Sequence, residues 1–401
     1  MVNSVVSKKI IVLDGESRQA LTVVRALGSV GYKVIVGSHE KRALSFYSRF
    51  ASKRVTYTHP QQNPDQFLDE IIYISKNNGA DFVLPILEPT IFELSKVRDE
   101  LESKGIIIPV PDFESLKLAM DKYSVYRIAK DIGIPVPKTL IVHDIYELNE
   151  ASLQFNFPLV LKIPKEIGVL PWNRFAVARN LKELKSKFKR LSKFSDGIIV
   201  QEYIDGIGVG SFFLFNKFRS LITYFGHRRI FENPFSGVSI ICETFLNFDT
   251  LKYGLKLLNA LNWKGIAMVE FRLEKKSGIP YLLEVNPRFW GSLPLAIKAG
   301  FNFPKLLVET WAQERLRESG KDIILNDNYQ NLKTKYVILS PAIELEMKRL
   351  ARKQIKELLK DTTVILKEII QNIGSTFEFD YFDYKPFLIS FSKISSFLKI
   401  F

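Results

Sequence analysis

Short apolar runs alternate with amphipathic segments over the first hundred residues. The runs have the length of buried strands, and the segments between them repeat with a helical period. Strands are predicted at Ile10 to Leu13, Val34 to Val36, Phe82 to Leu87 and Ile106 to Val110, and a helix at Leu21 to Leu27. This rhythm is typical of parallel strands covered by helices. We therefore predict an α/β, Rossmann-like parallel-sheet domain over residues 1–110.

The pattern changes after Pro111. Two predicted helices, Phe113 to Met120 and Lys122 to Ile132, end at a Gly- and Pro-rich stretch, and shorter strand-like runs follow. Those strands are predicted at Thr139 to Val142, Leu159 to Ile163, Ile198 to Tyr203, Gly210 to Phe215 and Ser220 to Phe225. We predict an α+β unit over residues 111–325 with a small lid at about 138–200, followed by a helical C-terminal extension, 326–401.

Two acidic residues interrupt apolar runs on either side of a turn that contains Ser277 and Gly278. A hairpin with a loop of about three residues and a left-handed glycine would place Glu270 opposite Glu284. Asn286 would then share a face with Glu284, because side chains alternate along a strand.

Opposed carboxylates repel one another, so a cation is expected between them. Two carboxylates and an amide oxygen suit Mg²⁺, which takes its remaining ligands from water and phosphate. The sequence therefore predicts a metal site at Glu270, Glu284 and Asn286. The alternative is an exposed sheet face that carries two unrelated acids.

Basic residues surround this hairpin in the sequence. Arg288 follows the metal ligands directly and is predicted to stabilise a transferring phosphoryl group. Arg228 and its neighbour Arg229 offer further charge, or lie at a strand end on the surface. Lys162 interrupts an apolar strand, which indicates either an anion such as phosphate or a side chain that reaches solvent. Glu88 and Arg18 are predicted to face the cleft.

Composition narrows the possible partners and location of the chain. The formal charge of +14 includes solvated helix faces, and aromatic residues do not interleave with the lysines, so no nucleic-acid partner is predicted. One cysteine excludes an internal disulfide, and four scattered histidines lack zinc spacing. With neither a secretory signal nor a membrane span in the sequence, we predict a cytoplasmic protein.

The run Leu283-Glu284-Val285-Asn286-Pro287-Arg288, with Glu270 as the partner acid, resembles the ATP-grasp superfamily. That superfamily includes biotin carboxylases, carbamoyl-phosphate synthetase large chains and D-alanine ligases. Stretches similar to those beginning at His227 and Phe289 recur in its carboligase-like branch. The similarity covers about residues 10–307 and implies a two-lobed ATP-grasp fold over 111–325.

The resemblance also implies roles for individual residues. Lys122 and Lys162 look like the lysines that contact ATP phosphates, and the segment containing Glu202, Tyr203 and Ile204 looks like the linker that binds adenine. The implied cofactors are ATP and Mg²⁺ or Mn²⁺. The implied reaction activates a carboxylate as an acyl phosphate, with Arg288 and Arg228 as catalytic residues, and joins it to an amine or another nucleophile with release of ADP and phosphate.

Two departures from the family pattern keep a second hypothesis open. The predicted lid loop has Gly168 as its only glycine, and no ribose-binding acid follows the adenine linker. A protein that binds Mg-ATP without catalysis is therefore the alternative. An NAD-linked oxidoreductase is disfavoured, because the first turn, Asp14 to Ser17, lacks the glycine fingerprint of dinucleotide-binding proteins.

The C-terminal region carries separate predictions. Phe387, Phe391, Ile394, Leu398 and Phe401 fall on one helical face. This helix is predicted to pack on the body of the protein or, with the basic segment 348–360, to contact the inner membrane surface peripherally or meet a partner. A homodimer is a further prediction.

Overall fold

Three β-sheets organise the part of the chain that the computed structural model describes. That part comprises residues 9–166, 168–169, 173–233 and 239–312, with shorter pieces at 335–337, 363, 376–377, 381–386 and 389. Within it, no helix has the length and apolar character needed to cross a bilayer. The predicted helices at 348–360 and after Pro386 lie almost entirely outside the described residues.

The first sheet is parallel and four-stranded, as the alternating pattern predicts, with strand order β3-β2-β1-β4. Its strands are β1 (Lys9–Val12), β2 (Lys33–Ser38), β3 (Ala51–Thr56) and β4 (Phe82–Leu84). Its helices are α1 (Arg18–Gly28), α2 (Pro64–Asn78), α3 (Glu88–Lys96) and α4 (Arg98–Ser103). Ile106 to Val110 is not the predicted strand, because it makes only one bridge, from Ile107 to Phe82.

A helical pair leads into the second sheet, which is antiparallel with strand order β5-β8-β6-β7. The helices of this region are α5 (Phe113–Ala119), α6 (Lys122–Asp131), α7 (Ile145–Ser152) and α8 (Leu181–Leu191). The strands are β5 (Thr139–Val142), β6 (Leu159–Lys162), β7 (Phe175–Ala178) and β8 (Ile198–Glu202). α8 is amphipathic and buries Leu184, Phe188 and Leu191, so the small sheet has its own apolar core.

The third sheet carries the predicted metal ligands and has strand order β13-β12-β9-β10-β11-β14-β15. Its strands are β9 (Gly206–Phe215), β10 (Leu221–Glu232), β11 (Ser239–Thr244), β12 (Gly265–Glu274), β13 (Pro280–Asn286), β14 (Lys335–Val337) and β15 (Thr376–Phe377). Its helices are α9 (Phe248–Ala260), α10 (Leu293–Lys298) and α11 (Phe303–Ala312). β14 and β15 are a correction to the predicted helical extension at those positions.

The first and third sheets share one apolar core. Val12 and Val24 belong to the same buried cluster as Phe212 and Trp290 of the large-sheet region. A second cluster packs α6 and α9 under the other face of the large sheet through Val125, Leu257 and neighbouring side chains. One face of β12 and β13 therefore packs in this second cluster.

The β12–β13 hairpin contains a β-bulge that changes which side chains share a face. Phe271 lies opposite Leu282, but Glu270 lies opposite Glu284, so Leu283 is an extra residue. Leu282 and Val285 consequently both reach the core. The bulge turns Glu284 and Asn286 to the opposite face.

Candidate active site

The predicted opposition of Glu270 and Glu284 is confirmed by the strand register. The turn itself differs from the prediction. The connection between the strands covers residues 275–279 instead of about three residues, and the bulge at Leu283 brings Glu284 opposite Glu270. The predicted left-handed glycine is Gly278, with φ of 70°. The two carboxylates therefore face each other across neighbouring strands, with side chains only 11% and 25% exposed.

Lys122, the first residue of α6, neutralises Glu284. Its ammonium forms ion pairs with Glu284 and with Glu166, the latter at 2.9 Å between Nζ and Oε1. Burial lowers the pKa of Lys122, but attraction to the two carboxylates outweighs burial and raises it. Burial likewise disfavours charged Glu284, yet Lys122 holds the pKa of Glu284 well below its ordinary value. Both groups are charged at neutral pH.

Arg229 on β10 neutralises Glu270, with 2.7 Å between Nη2 and Oε2. β9 lies between β10 and β12, so the arginine must pass over a strand to reach its partner. Gly208 makes this possible, because a β-carbon there would lie 2.8 Å from Cδ of Arg229. Burial raises the pKa of Glu270, with Arg229 opposing that shift and Glu284 adding to it. The glycine in β9 is thus a requirement of the site.

Beyond the carboxylates, a chain of polar contacts continues to the first sheet. Asn286 donates from Nδ2 to Oε1 of Glu284 at 2.8 Å and accepts from Nη2 of Arg288 at 3.1 Å. Nε of Arg288 lies 3.0 Å from Oε1 of Glu88, the first residue of α3. Arg288 and Glu88 therefore join the end of β13 to α3, the helix that follows β4. Arg18, at the start of α1, lies outside these contacts, and its role stays a prediction.

Arg228 points away from the two opposed acids. Its Nε lies 2.6 Å from Oε1 of Glu243 on β11, and its side chain is 45% exposed. Successive residues of a strand point to opposite faces, which separates Arg228 from Arg229. The catalytic role predicted for Arg228 stays a prediction, whereas Arg229 is the arginine that contacts a predicted metal ligand.

The stretches beginning at His227 and Phe289 meet beside the site. Nδ1 of His227 lies 2.9 Å from Oγ of Ser292, and the imidazole stands edge-on to Phe212, which stacks on Trp290. Burial, with Arg229 second, lowers the pKa of His227 to about 3. This histidine is a neutral, fixed part of the sheet at physiological pH.

Lys162 lies at the end of β6 and faces α6. Its Nζ donates to Oη of Tyr126 at 3.2 Å, and the tyrosine hydroxyl donates to the carbonyl oxygen of Leu283 at 2.5 Å. Tyr126 lies one helical turn after Lys122, so the two side chains share a face of α6. The carbonyl group of the bulged residue thereby ties α6 to β13 next to Glu284.

The predicted adenine linker joins the second sheet to the third. Glu202 ends β8 and Gly206 begins β9, with Tyr203 and Ile204 between them. The Glu202 carboxylate accepts from the amide of Lys138 at 2.7 Å, which holds the end of β8 against the strand beside it. Adenine binding by this linker stays a prediction.

The donor set fits a divalent cation that also has phosphate or water ligands. Among the described residues, no group of three or more His, Cys, Asp or Glu side chains could hold a metal. Glu270, Glu284 and Asn286 supply two carboxylates and one amide, which matches the small protein ligand set of Mg²⁺. Lys122 and Arg229 together balance the charge of the two carboxylates, so a cation of charge two would replace them.

Two residues of the site, Tyr126 and Glu166, were not predicted from the sequence. Tyr126 could have been predicted, since it lies four positions after Lys122 on a predicted helix and therefore on the same face. Glu166 could not, because it lies in the loop after β6 and reaches Lys122 only through the packing of the second sheet on α6. The amide of Lys122 also donates to the Pro164 carbonyl oxygen at 3.1 Å, which holds that loop in place.

Comparison with known proteins agrees with this geometry. Residues 243–330 match a family model described as "ATP-grasp in the biosynthetic pathway with Ter operon". The carbamoyl phosphate synthase large chain of Thermoanaerobacter sp. (strain X514) is 26% identical over 230 residues, which cover 55% of this chain and 21% of the relative. The D-alanine–D-alanine ligase of Coprothermobacter proteolyticus is 22% identical over 257 residues, covering 60% and 78%.

Among solved structures, a similar one is the biotin carboxylase domain of the Hydrogenobacter thermophilus 2-oxoglutarate carboxylase. The two structures have a TM-score of 0.63 and 20% identity, over 78% of this chain and 71% of the other. The chain spans only about a fifth of the carbamoyl phosphate synthase that it matches. The matched stretch 243–330 and the sequence and fold similarities show that this chain is similar to ATP-grasp proteins.

Proposed function

We propose that the chain is an ATP-dependent ligase that joins a carboxylate to an amine. A carboxylate oxygen attacks the γ-phosphorus of ATP, ADP leaves, and an acyl phosphate forms. The amine nitrogen then attacks the acyl carbon, phosphate leaves, and the nitrogen loses a proton to solvent. The products are an amide, ADP and phosphate.

The observation that carries this proposal is the meeting of Glu270, Glu284 and Lys122 in one partly buried place. Two opposed carboxylates need positive charge between them, and in this structure Lys122 and Arg229 supply it. Both cations belong to side chains that can exchange their carboxylate partners for phosphate oxygens. With a nucleotide bound, the metal ion would neutralise the two carboxylates, and the phosphate groups would neutralise the two basic side chains.

Each protein group then has a defined task in phosphoryl transfer. Lys122 and Lys162, on α6 and β6, would neutralise phosphate oxygens, and Arg288 would stabilise the negative charge that develops on the transferred group. Glu88 orients Arg288 through their 3.0 Å contact. The main-chain groups of Glu202 and Ile204 are proposed to bind adenine.

Glu270, Glu284 and Asn286 would hold Mg²⁺, with Mn²⁺ as a substitute. When bound, the metal would act as a Lewis acid and supply positive charge to the phosphate groups. The fit rests on the chemistry of the donors, which are all oxygen atoms and include two carboxylates. When no metal is bound, the ion pair with Arg229 would keep the Glu270 carboxylate in position.

The relatives support this class of reaction. Two are named as a carbamoyl phosphate synthase and a D-alanine–D-alanine ligase, and the biotin carboxylase domain was solved with MgADP, ADP and bicarbonate. The carboxylate and the amine of this chain are set by the shape of its own pocket rather than by the nucleotide site.

The test is ADP release by the full chain with Mg-ATP across a panel of carboxylates paired with amines. We expect at least one pair to stimulate ADP release, and Glu284→Gln to abolish that stimulation. Glu274→Gln is the matched control, because Glu274 lies on the same hairpin and accepts a hydrogen bond only from Ser277 among the described side chains. Equal rates in wild type and Glu284→Gln would reject the assignment of Glu284.

The same experiment separates the alternative function. Binding of Mg-ATP without ADP release under any pair would indicate a nucleotide-binding protein without catalysis. The domain limits at residues 110 and 325, the homodimer and the C-terminal membrane contact stay predictions. The last of these concerns residues that lie mostly outside the described part of the chain.

A further inference from the structure

A short C-terminal segment, residues 381–386, is fixed to the first sheet, and we call it the hook. Its anchor is Asp383, which is buried. The Asp383 carboxylate accepts from Nε of Arg25 at 2.8 Å, from Oγ of Ser48 at 2.7 Å and from the amide of Arg49 at 2.8 Å. Arg25 also donates from Nη2 to the Asp383 carbonyl oxygen at 2.7 Å. The hook is therefore held in one defined position.

The hook closes one side of a pocket of about 360 Å³. The other side is formed by the turn before β3 and by β3 itself, the outer strand of the parallel sheet. This volume is that of a small-molecule site. The lining residues that bear on the argument are Tyr47, Arg49, Arg54, Phe382, Tyr384 and Lys385. None of them belongs to the ATP-grasp site.

The described lining of the pocket carries three basic side chains and one acid. Arg49, Arg54 and Lys385 line it, and no ion pair with an acid involves any of the three within the described residues. The single acid of the lining, Asp383, is already bound by three donors. Three cations around one pocket attract a ligand of two or more negative charges, and guanidinium groups favour phosphate oxygens.

The pocket also presents aromatic rings. Phe382 is 74% exposed and Tyr384 is 47% exposed, although both lie on a segment that is anchored by a buried residue. Arg54 stacks over Tyr47 with 5.8 Å between Cζ and the ring centroid, which orients that guanidinium at the pocket wall. Exposed rings beside cations form a surface on which a planar group stacks.

We propose that the pocket between the hook and β3 binds a phosphate monoester that carries a planar ring, at a second site separate from the ATP-grasp centre. The phosphate lies between Arg49, Arg54 and Lys385. The ring stacks on Tyr384 or Phe382. This assignment is independent of the ligase reaction, because it concerns other residues and a different sheet edge.

The experiment is calorimetric titration of the full chain with phenyl phosphate, which combines a dianionic phosphate with one ring. We expect a single saturable site. Arg54→Gln and Lys385→Gln should each weaken binding about tenfold, as expected for the loss of one charged hydrogen bond. Both side chains are exposed, so thermal unfolding should stay unchanged. Lys276→Gln, a lysine on the distant β12–β13 turn, is the matched control and should bind as wild type does.

Inorganic phosphate tests the role of the rings. We expect it to bind about tenfold more weakly than phenyl phosphate, because it lacks the stacking group. Arg54→Lys keeps the charge and should recover most of the affinity. The proposal is overturned by absence of saturable binding, by equal affinity of Arg54→Gln and wild type, or by equal affinity for the two phosphates.

Discussion

In the described part of the chain, Asp14 and Glu16 form one pair of buried or half-buried carboxylates, and Glu270 and Glu284 form another. The partners of the two pairs differ in kind. Asp14, at the carboxyl end of β1, accepts from the amides of Ile86 and Leu87 at 2.8 Å each, and from the hydroxyl of Thr90 at 2.6 Å. Its neighbour Glu16 accepts from the Ser38 hydroxyl at 2.5 Å. These donors are neutral, and several belong to the backbone.

Glu270 and Glu284 in the large sheet are satisfied by the charged side chains Arg229 and Lys122 instead. Neutral backbone donors are immobile, so the first pair fixes the turn between β1 and α1 and the chain after β4. Charged side chains can release a carboxylate to a metal ion and take phosphate oxygens in return. We therefore expect acids bound by neutral donors to stabilise the fold, and acids paired with charged side chains to take part in ligand binding or catalysis.

If the acids of the large sheet serve turnover rather than folding, loss of either charge should slow the reaction. We expect Glu270→Gln to lower the stimulated rate of ADP release about a thousandfold, or about 4 kcal/mol in the activation barrier. Under the proposed function, the charge of Glu270 helps to hold the metal ion. Glu274→Gln is again the control, since Glu274 lies at the far end of the same strand and accepts a hydrogen bond from the Ser277 hydroxyl. A rate for Glu270→Gln similar to that of the control would contradict its assignment.

Asp14 gives the opposite expectation. Asp14→Ala leaves its buried donors without an acceptor and places alanine at a φ of 57°, so we expect the free energy of unfolding to fall by about 3 kcal/mol. Denaturant titration measures this loss. Asp69→Ala, at an exposed position of α2, should change stability by less than about 0.5 kcal/mol. Equal stability of the two variants would show that the buried donors are satisfied in another way.

The raised pKa of Glu16 makes the stability of the first sheet's turn depend on pH. Burial, with the Asp14 carboxylate second, raises the pKa of Glu16 from its ordinary value of 4.5 to about 7. The folded state therefore binds more protons than the unfolded state between these values, and stability falls as pH rises from about 4.5 to 7. We expect Glu16→Gln to remove about 2 kcal/mol of that fall. Parallel unfolding curves of both proteins over this range would contradict the shift.

The smallest expected effect concerns Glu166, which forms an ion pair with Lys122, as Glu284 does. Removing its charge should free Lys122 for phosphate, so we expect Glu166→Gln to bind the non-hydrolysable analogue AMP-PNP with Mg²⁺ about fivefold more tightly. Calorimetric titration measures this change. Glu150→Gln, at an exposed position of α7, is the control. Weaker binding by Glu166→Gln would mean that Glu166 supports the nucleotide site.

Local patterns in the sequence were sufficient for the parts of the site that lie close together in the chain. Glu284 and Asn286 belong to one strand, so the alternation of side chains is enough to place them on one face. Their position opposite Glu270 also depends on the bulge at Leu283. The contact of Arg229 with Glu270 requires the glycine in β9, whose role follows only from the strand order of the large sheet. The pairing of Lys122 with Glu166 depends on the packing of separate elements.

The anchoring of the hook shows the limit most clearly. Asp383 contacts Arg25, from which it is separated by 358 positions. Asp383 is one of several acids in an aromatic run, and nothing in the local pattern predicts which of them makes such a contact. Likewise, β14 and β15 are too short for their pattern to indicate strands, and they are recognised only because the edge of the large sheet offers a partner.

The bulge at Leu283 has a consequence for finding similar sites by motif. It places Glu284 one residue further along the chain than a regular hairpin with the same turn would require for pairing with Glu270. A relative without the bulge would keep its two acids opposed with a spacing shorter by one residue. A search that demands a fixed interval would overlook such proteins, so the interval should be allowed to vary by one while the alternation of flanking apolar residues is retained.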